Sequence, residues 1–540
     1  MEIPVIDIFA GPGGLGEGFS AYLNQKDKNR RFKIALSIEK DSYAHQTLML
    51  RSFFRQFPPD QIPSDYYKFI KGQISLDELY KRWPVQAKNA EEEAWHAELG
   101  DGEKAMPNSI VDERIKRALN GNSNWLLIGG PPCQAYSVVG RSRRQEKVLD
   151  ENKDERVGLY KQYLRILAVH NPAVFVMENV KGLLSAKTEQ SPVFSKILND
   201  LADPVSAFLS EYRSNGIKLN CPGYRIYSLV AAPAAFDLKG NPVFNHKDFV
   251  IHCEKYGVPQ ARHRVILLGI RKDIEHKPKV LEPKNEMPIS SVLKGLPKLR
   301  SKLSKSEDSG ENWKAAIAKI LEKGMLAGVA REVKEEIIKQ LDKITLPQKE
   351  SGEEYCAYKR ANIPYRPDWY LDQNLEGVCN HSSRGHMDSD LLRYLFVSCF
   401  AKVNKRSPKL EDFPAALLPD HKNVKAGIED KKFADRFRVQ LWDQPCKTIT
   451  SHISKDGHYY IHPDPTQCRS FTVREAARIQ TFPDNYFFCG PRTSQFIQVG
   501  NAVPPLLANQ IAGIVYTAFK AIPGRSDKKV KINQSVTVEQ

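Results

Sequence analysis

Short apolar runs alternate with segments of helical spacing through the first half of the chain. Val5-Ile6-Asp7-Ile8-Phe9 is one such run. It ends in a glycine-rich turn, after which residues 15–23 take up helical spacing, so a strand, a loop and a helix are predicted in that order. Further buried strands are predicted at residues 34–38, 125–128, 173–177, 225–230 and 265–270, with helical segments such as 159–170 between several of them. Strands that alternate with helices predict a parallel, doubly wound, Rossmann-like α/β sheet with helices on both faces.

The rest of the chain divides by composition. Residues 51–120 are long for a connection, and amphipathic patterning at 76–83 and 90–99 predicts an inserted helical element. After Arg271 the chain becomes Lys-rich and punctuated by proline, and 312–344 reads as helices with charged outer faces. Residues 354–465 are irregular and rich in Tyr, His, Arg and Asp, which suggests a recognition module. An amphipathic helix resumes over 471–480. The expected organisation is a catalytic domain at 1–285, a second, irregular target-recognition domain at 286–468, a segment at 469–523 that returns to the catalytic domain, and a flexible basic tail at 524–540.

Gly11-Pro12-Gly13-Gly14-Leu15-Gly16 satisfies the dinucleotide pattern G-x-G-x-x-G between a strand and a helix, and Glu39 ends the second strand where it can reach ribose hydroxyls. Five glycines in the eight positions 11–18 exceed what a tight turn needs. The loop therefore points to an adenosine-bearing cofactor. A nicotinamide dinucleotide and other adenosyl cofactors both fit at this point, so the choice rests on chemistry further along the chain.

Gly129-Gly130-Pro131-Pro132-Cys133-Gln134 follows the third buried strand, which puts a cysteine on a proline-stiffened loop at the carboxyl edge of the sheet. The strand at 173–177 ends in Glu178-Asn179-Val180 and delivers a carboxylate to the same edge. A thiolate nucleophile beside a carboxylic acid suits addition to an electron-poor ring, a reaction that needs no hydride donor. A lone cysteine is more often a small buried apolar residue; the surroundings of Cys133 reverse that reading, whereas Cys221, Cys253 and Cys446 lack such surroundings and read as structural.

Six segments in order resemble the C5-cytosine-specific DNA methyltransferase family, of the prokaryotic restriction-modification type. They are Asp7 through Gly14, Pro131-Pro132-Cys133-Gln134, Glu178-Asn179-Val180, Gln260-Ala261-Arg262-His263-Arg264, Arg474 through Pro483, and Gln498-Val499-Gly500-Asn501-Ala502-Val503-Pro504-Pro505. The resemblance implies methyl transfer from S-adenosylmethionine to C5 of cytosine in a specific double-stranded DNA sequence, through base flipping and a covalent adduct of Cys133 at C6. It further implies that Glu178 pairs with the cytosine N3 and amino group, and that Arg262 and Arg264 hold the flipped nucleotide and its surroundings. Phe9 would stack on the cofactor adenine and Glu39 would bind its ribose. Gly11, Gly13, Gly14, Pro132 and Asn501 match positions around the cofactor. The insertion disturbs the spacing to the family's adenine-binding acid, for which Glu98 and Asp101 stand as candidates.

Eighty Lys and Arg against 64 Asp and Glu give a net charge of +16, which favours a polyanionic partner. Nine cysteines without regular spacing, no signal peptide ahead of the first strand and no apolar run of about 20 residues point to a cytoplasmic, reducing setting without a membrane. No metal site is expected, since Cys379, His381 and His386 lack the paired ligands of zinc modules. Arg384 and His386 read instead as recognition or surface residues, and the Lys-rich run 294–305 as a solvated face or a phosphate contact. The expected partners are double-stranded DNA, bound by a monomer, and a cognate restriction endonuclease acting on the same site. The alternatives are a transfer-RNA cytosine-C5 methyltransferase, whose recognition region is usually much smaller, and an inactive DNA-binding relative, which intact Cys133 and Glu178 oppose.

Overall fold

The computed structural model describes residues 2–24, 28–131, 155–185, 193–212, 219–344, 351–358, 363–419 and 436–522. Its centre is an eight-stranded sheet made of β1 (Ile3–Ile8), β2 (Phe32–Glu39), β3 (Ala94–His96), β4 (Leu126–Gly129), β5 (Val174–Val180), β6 (Tyr224–Tyr227), β7 (Val250–His252) and β8 (His263–Arg271). The strand order is β3-β2-β1-β4-β5-β8-β6, with β7 also paired to β8. The five strands from β3 to β5 are parallel. β8 runs antiparallel to β5, β6 and β7. The expected all-parallel sheet is therefore mostly parallel: a continuous apolar run reports burial on both faces and carries no information about strand direction.

Alternate residues of each strand feed two cores. Val5, Leu126, Ile128, Val174, Val176, Ile266 and Leu268 face one side, where they meet Leu15, Phe19 and the helix Pro505–Lys520. Ile6, Ile8, Leu127, Phe175, Met177, Val265 and Leu267 face the other, against Val111 and Ile115 of the helix Asn108–Leu119 and Ile166 and Leu167 of the helix Glu155–His170. This period of two, apolar on both faces, is why the runs form central strands.

The chain reverses direction across the sheet between β1 and β4, so a crevice opens outside their carboxyl ends. Behind β1, α1 (Gly14–Ser20) packs against the C-terminal helix, and α2 (Ser42–Arg55), capped by the Asp41 carboxylate at its N-terminus, leads into the insertion. The insertion forms the helices Ser64–Ile70, Leu76–Arg82, Pro84–Glu93 and Asn108–Leu119. The helical patterning expected at 90–99 holds only to Glu93; Ala94–His96 is instead the parallel edge strand β3, because Ser37, Ile38 and Glu39 of β2 pair with it.

Residues 303–468 contribute a separate apolar cluster in which Trp313, Ile317, Val333 and Ile337 surround the helix Asp388–Asn404. The expected helices at 312–344 are Gly310–Ala318 and Arg331–Asp342. The region expected to be irregular holds that 17-residue helix and a hairpin of Gly352–Ala357 with Gly377–Ser382. Arg384 and His386 are buried here, not at the surface: the Arg384 guanidinium donates to the Ile453 carbonyl at 2.6 Å, and His386 packs against Tyr394. Cys379, His381 and His386 each have other partners, His381 touching the Thr472 hydroxyl and the Pro297 carbonyl, both at 2.9 Å. Arg492–Lys520 is long and apolar enough for a membrane span, but it is two helices split at Ala502–Pro504, and its most apolar stretch is 78% buried in the protein.

Candidate active site

The glycine loop leaves β1 through Phe9, a bulky residue held at φ 55°, in the left-handed region that such side chains rarely adopt. The Ala10 amide donates to the Ile38 carbonyl at 3.1 Å and thereby ties the turn to β2. Gly11 follows at φ 58°, and a Cβ there would meet nothing within 4 Å, so its face is open to the crevice. Gly14 serves packing: a Cβ would lie 2.3 Å from the Val503 carbonyl oxygen. Gly13, at φ 89°, sits against Leu48 and Tyr486, and the Tyr486 hydroxyl donates to the Pro12 carbonyl. Of the five glycines, Gly11 is open, Gly14 and Gly18 pack closely on the C-terminal segment, Gly13 sits between Leu48 and Tyr486, and Gly16 faces Asp7 and Ile34.

Glu39 ends β2 beside this loop. Its carboxylate accepts the Gly11 amide at 2.8 Å, the Lys40 amide at 2.9 Å and the Asp41 amide at 2.8 Å. Burial still raises its pKa against the pull of those amides. Ala97, just past β3, donates to the Glu39 carbonyl at 3.0 Å, which brings Glu98 to the same edge, where it pairs with Lys40 at 3.1 Å. Asp101 lies farther along and accepts from Gln162 at 3.4 Å. Asn501 is exposed at the end of the helix Arg492–Asn501, next to Ala502, which packs on Gly14.

Glu178 sits near the carboxyl end of β5, where the Arg264 Nε donates to its Oε1 at 2.9 Å. Their side chains keep 12% and 15% of their exposure, so the pair borders the crevice. A Cβ on Gly130 would lie 2.9 Å from the Glu178 Oε2, and the Asn179 amide donates to the Pro131 carbonyl at 3.4 Å. The loop that carries Pro132 and Cys133 therefore leaves β4 against Glu178; Pro132 and Cys133 themselves lie outside the described residues, as does the expected tail 524–540.

Arg262 differs from Arg264. It is fully buried, and its guanidinium donates to the Ile449 carbonyl at 2.7 Å and the Gly500 carbonyl at 3.2 Å. Among the described residues no carboxylate pairs with it directly, and burial, with Arg264 nearby, pushes its pKa down to about 9. Among the described residues, Arg262 ties together the segments that carry Ile449 and Gly500. Gln260 acts with it: its side-chain carbonyl accepts the Ile449 amide at 2.8 Å, and its amide donates to Gln480 at 2.5 Å. Motif spacing alone does not separate this packing of Arg262 from the role expected for it at the flipped nucleotide.

Asp7, in β1, is a residue that the sequence presents only as part of a motif. It is 1% exposed, and neither oxygen has a hydrogen-bond partner of good geometry. Burial pushes its carboxyl up to about 8, against the pull of Arg55 and the Gly16 amide. The helix Val473–Ile479 is framework. Thr472 and Glu475 close a capping box, Arg474 donates to the Cys379, Pro483 and Tyr486 carbonyls, and Arg478 pairs with Asp484 at 2.7 Å.

Residues 102–204 and 244–516 match the family model described as C-5 cytosine-specific DNA methylase; the glycine loop precedes the matched residues. The chain is 32% identical over 529 residues to the Type II methyltransferase M.Bpa9945I of Bacillus paralicheniformis, covering 95% of this chain and 98% of that one. It is 25% identical over 544 residues to the Type II methyltransferase M.DdeI of Desulfomicrobium norvegicum, covering 98% and 93%. Among solved structures, the methyltransferase EhMeth of Entamoeba histolytica aligns with a TM-score of 0.40 at 12% identity, covering 96% of this chain and 98% of that one.

Proposed function

The chain belongs to the C-5 cytosine-specific DNA methylases, and on that premise we propose that it methylates cytosine at one defined sequence of double-stranded DNA with S-adenosylmethionine as the donor. The observation that carries the reading is the Glu178–Arg264 pair at 2.9 Å beside Gly130, three positions ahead of Cys133. Cys133 adds as a thiolate to C6 of a flipped cytosine, and Glu178, oriented by Arg264 on one oxygen, assists at N3. That addition makes C5 nucleophilic. After methylation, loss of the C5 proton and expulsion of the Cys133 thiolate restore the aromatic ring.

The crevice fits an adenosyl ligand: Gly11 leaves open space, and the Glu39 carboxylate is held beside it by three amides. We assign Phe9, Gly11, Gly13, Gly14, Glu39, Pro132 and Asn501 to this ligand, with Glu98 as the candidate adenine-binding acid and Gly14 acting through packing. S-adenosylmethionine, when bound there, supplies an electrophilic methyl group. Arg262 is a positioning residue in this scheme.

The catalytic unit is residues 1–285 with the returning segment 469–523, and the target-recognition unit is 286–468, a division supported by the separate apolar cluster of 303–468. The names of the Type II relatives support a role as the modification enzyme of a restriction-modification pair. The partner would be an endonuclease of the same site, and the methylase would work as a monomer in a prokaryotic cytoplasm. The test is transfer of tritium from labelled S-adenosylmethionine to matched duplex DNA and transfer RNA, with bisulfite sequencing of the DNA. Methylated cytosines confined to one short motif, lost in Cys133→Ser with DNA binding retained, are the expected result. Label only in RNA, or none, would overturn the reading.

A further inference from the structure

We propose that His252, Glu254 and His263 form a binding site for a divalent transition-metal ion, Zn²⁺ being the natural occupant by ligand chemistry. The sheet register builds the site. β7 pairs antiparallel with β8 so that His252 lies directly opposite His263, and directly opposed residues put their side chains on the same face, with Cβ atoms about 5 Å apart. The two imidazole rings stand 3.9 Å apart between centroids. The chain then turns at Cys253–Tyr256, where the Cys253 amide donates to the Arg262 carbonyl at 3.0 Å, and this turn swings Glu254 back toward both rings.

The resulting geometry suits a metal ion. One potential ligand atom from each residue lies within 4.8 Å of the other two. The Glu254 Oε1 is 2.9 Å from the His263 Nε2 and 3.6 Å from the His252 Nδ1, separations close to those of neighbouring ligands around an ion with bonds of about 2.0–2.2 Å. Glu254 is only 8% exposed, and its second oxygen is buried with no hydrogen-bond partner among the described residues. A buried carboxylate oxygen in that state is costly unless a cation or donor meets it. The two histidines keep 38% and 32% of their side-chain exposure, so an ion can enter from solvent and retain water in a fourth position. Lys181 and Lys255 lie near enough to oppose a cation, so the two imidazoles and the carboxylate must supply the affinity by ligation.

His263 alternates with Arg262 and Arg264, so it projects from the opposite side of the strand edge from the Glu178 pair. The site is therefore on the other side of the strand from the Glu178 pair, and it clamps β7 to the start of β8, which carries Arg264 and directly follows Arg262.

The test is titration of the untagged full-length chain with Zn²⁺ by calorimetry and with Co²⁺ by visible absorption. One ion per chain is expected, with cobalt bands of nitrogen and oxygen ligation and no thiolate charge-transfer band. His252→Ala and His263→Ala should each weaken binding at least about tenfold, and Glu254→Gln should do the same without altering either imidazole. Absence of saturable binding, a thiolate band, or binding unchanged in all three variants would overturn the proposal. His252 lies at the strand edge, so its variant separates loss of ligation from loss of fold. Neither readout depends on methyl transfer, so failure here leaves the catalytic reading untouched, and the reverse also holds.

Discussion

Two parts of the molecule hold arginine–carboxylate pairs, and they hold them differently. At the sheet edge, Glu178 and Arg264 meet at 2.9 Å with 12% and 15% of their side chains exposed, and one Glu178 oxygen faces the open side of Gly130. In the block around Val473–Ile479, Arg469 grips Glu475 with two contacts of 2.6 Å, and Arg478 grips Asp484 at 2.8 and 2.7 Å, with all four side chains at 3% exposure or less. In the block every charge is consumed internally, by its partner and by carbonyls. At the edge, among the described residues, the carboxylate is held by Arg264 on one oxygen. Both lie in family motifs, and on the proposed function motif membership covers two kinds of residue, one that would meet substrate and one that holds the former in place.

The comparison predicts opposite outcomes for isosteric changes. Glu178→Gln keeps the shape of the edge and should lower single-turnover methyl transfer by about 10²- to 10⁴-fold, since acid-base assistance is worth that much, while the urea midpoint moves little. A rate within a few-fold of wild type would put Glu178 in the same class as Glu475. Arg478→Met should do the reverse. It strands the buried Asp484 charge, which costs about 3–5 kcal/mol, so unfolding in urea should shift strongly, and methylation should fall only as far as folded protein is lost.

A finer probe is Gly130→Ala. The new methyl would lie 2.9 Å from the Glu178 Oε2, close enough to push the carboxylate off its position without touching the core. A misplacement of that size in a reacting constellation can cost up to about 10²-fold in rate. Substrate binding and stability should be nearly unchanged. An unimpaired Gly130→Ala enzyme would mean that Glu178 works from another rotamer.

Much of this was legible in the sequence because the physics is local. Central strands are apolar on both faces, so β1, β2, β4, β5 and β8 appear as continuous runs. β3 was hidden because three residues, Ala94-Trp95-His96, follow an acidic helix without a break, and only pairing with β2 makes them a strand. The helix Asp388–Asn404 was hidden for the opposite reason: buried on nearly every side, Leu391 through Ala401 leave no polar stripe to betray a helical period. At the site, Glu178 and Arg264 were both named, but their contact spans 86 positions and depends on the antiparallel register of β8 with β5. The division of Arg262 from Arg264 could not be read, because it is set by what covers each guanidinium.

A test by pH uses two buried carboxylates, one in each region. Glu475 is held well below the usual carboxylate range by Arg469 even though its burial works the other way, so it contributes stability that is lost as pH falls. Asp7 is the mirror case. Burial raises its carboxyl from 3.8 to about 8, so the folded chain holds a proton that the unfolded chain releases. Stability from Asp7 is therefore fully present below about pH 4 and is lost as pH rises toward 8, with a limiting slope of about 1.4 kcal/mol per pH unit. Asp7→Asn removes that dependence while keeping the shape. Urea midpoints of the cofactor-free chain should converge with wild type near pH 4–5 and diverge in favour of the variant by pH 8. Parallel curves would mean that Asp7 is ionised and partnered in the folded protein, and the unpartnered carboxylate at the end of β1 would no longer distinguish the crevice from the arginine block.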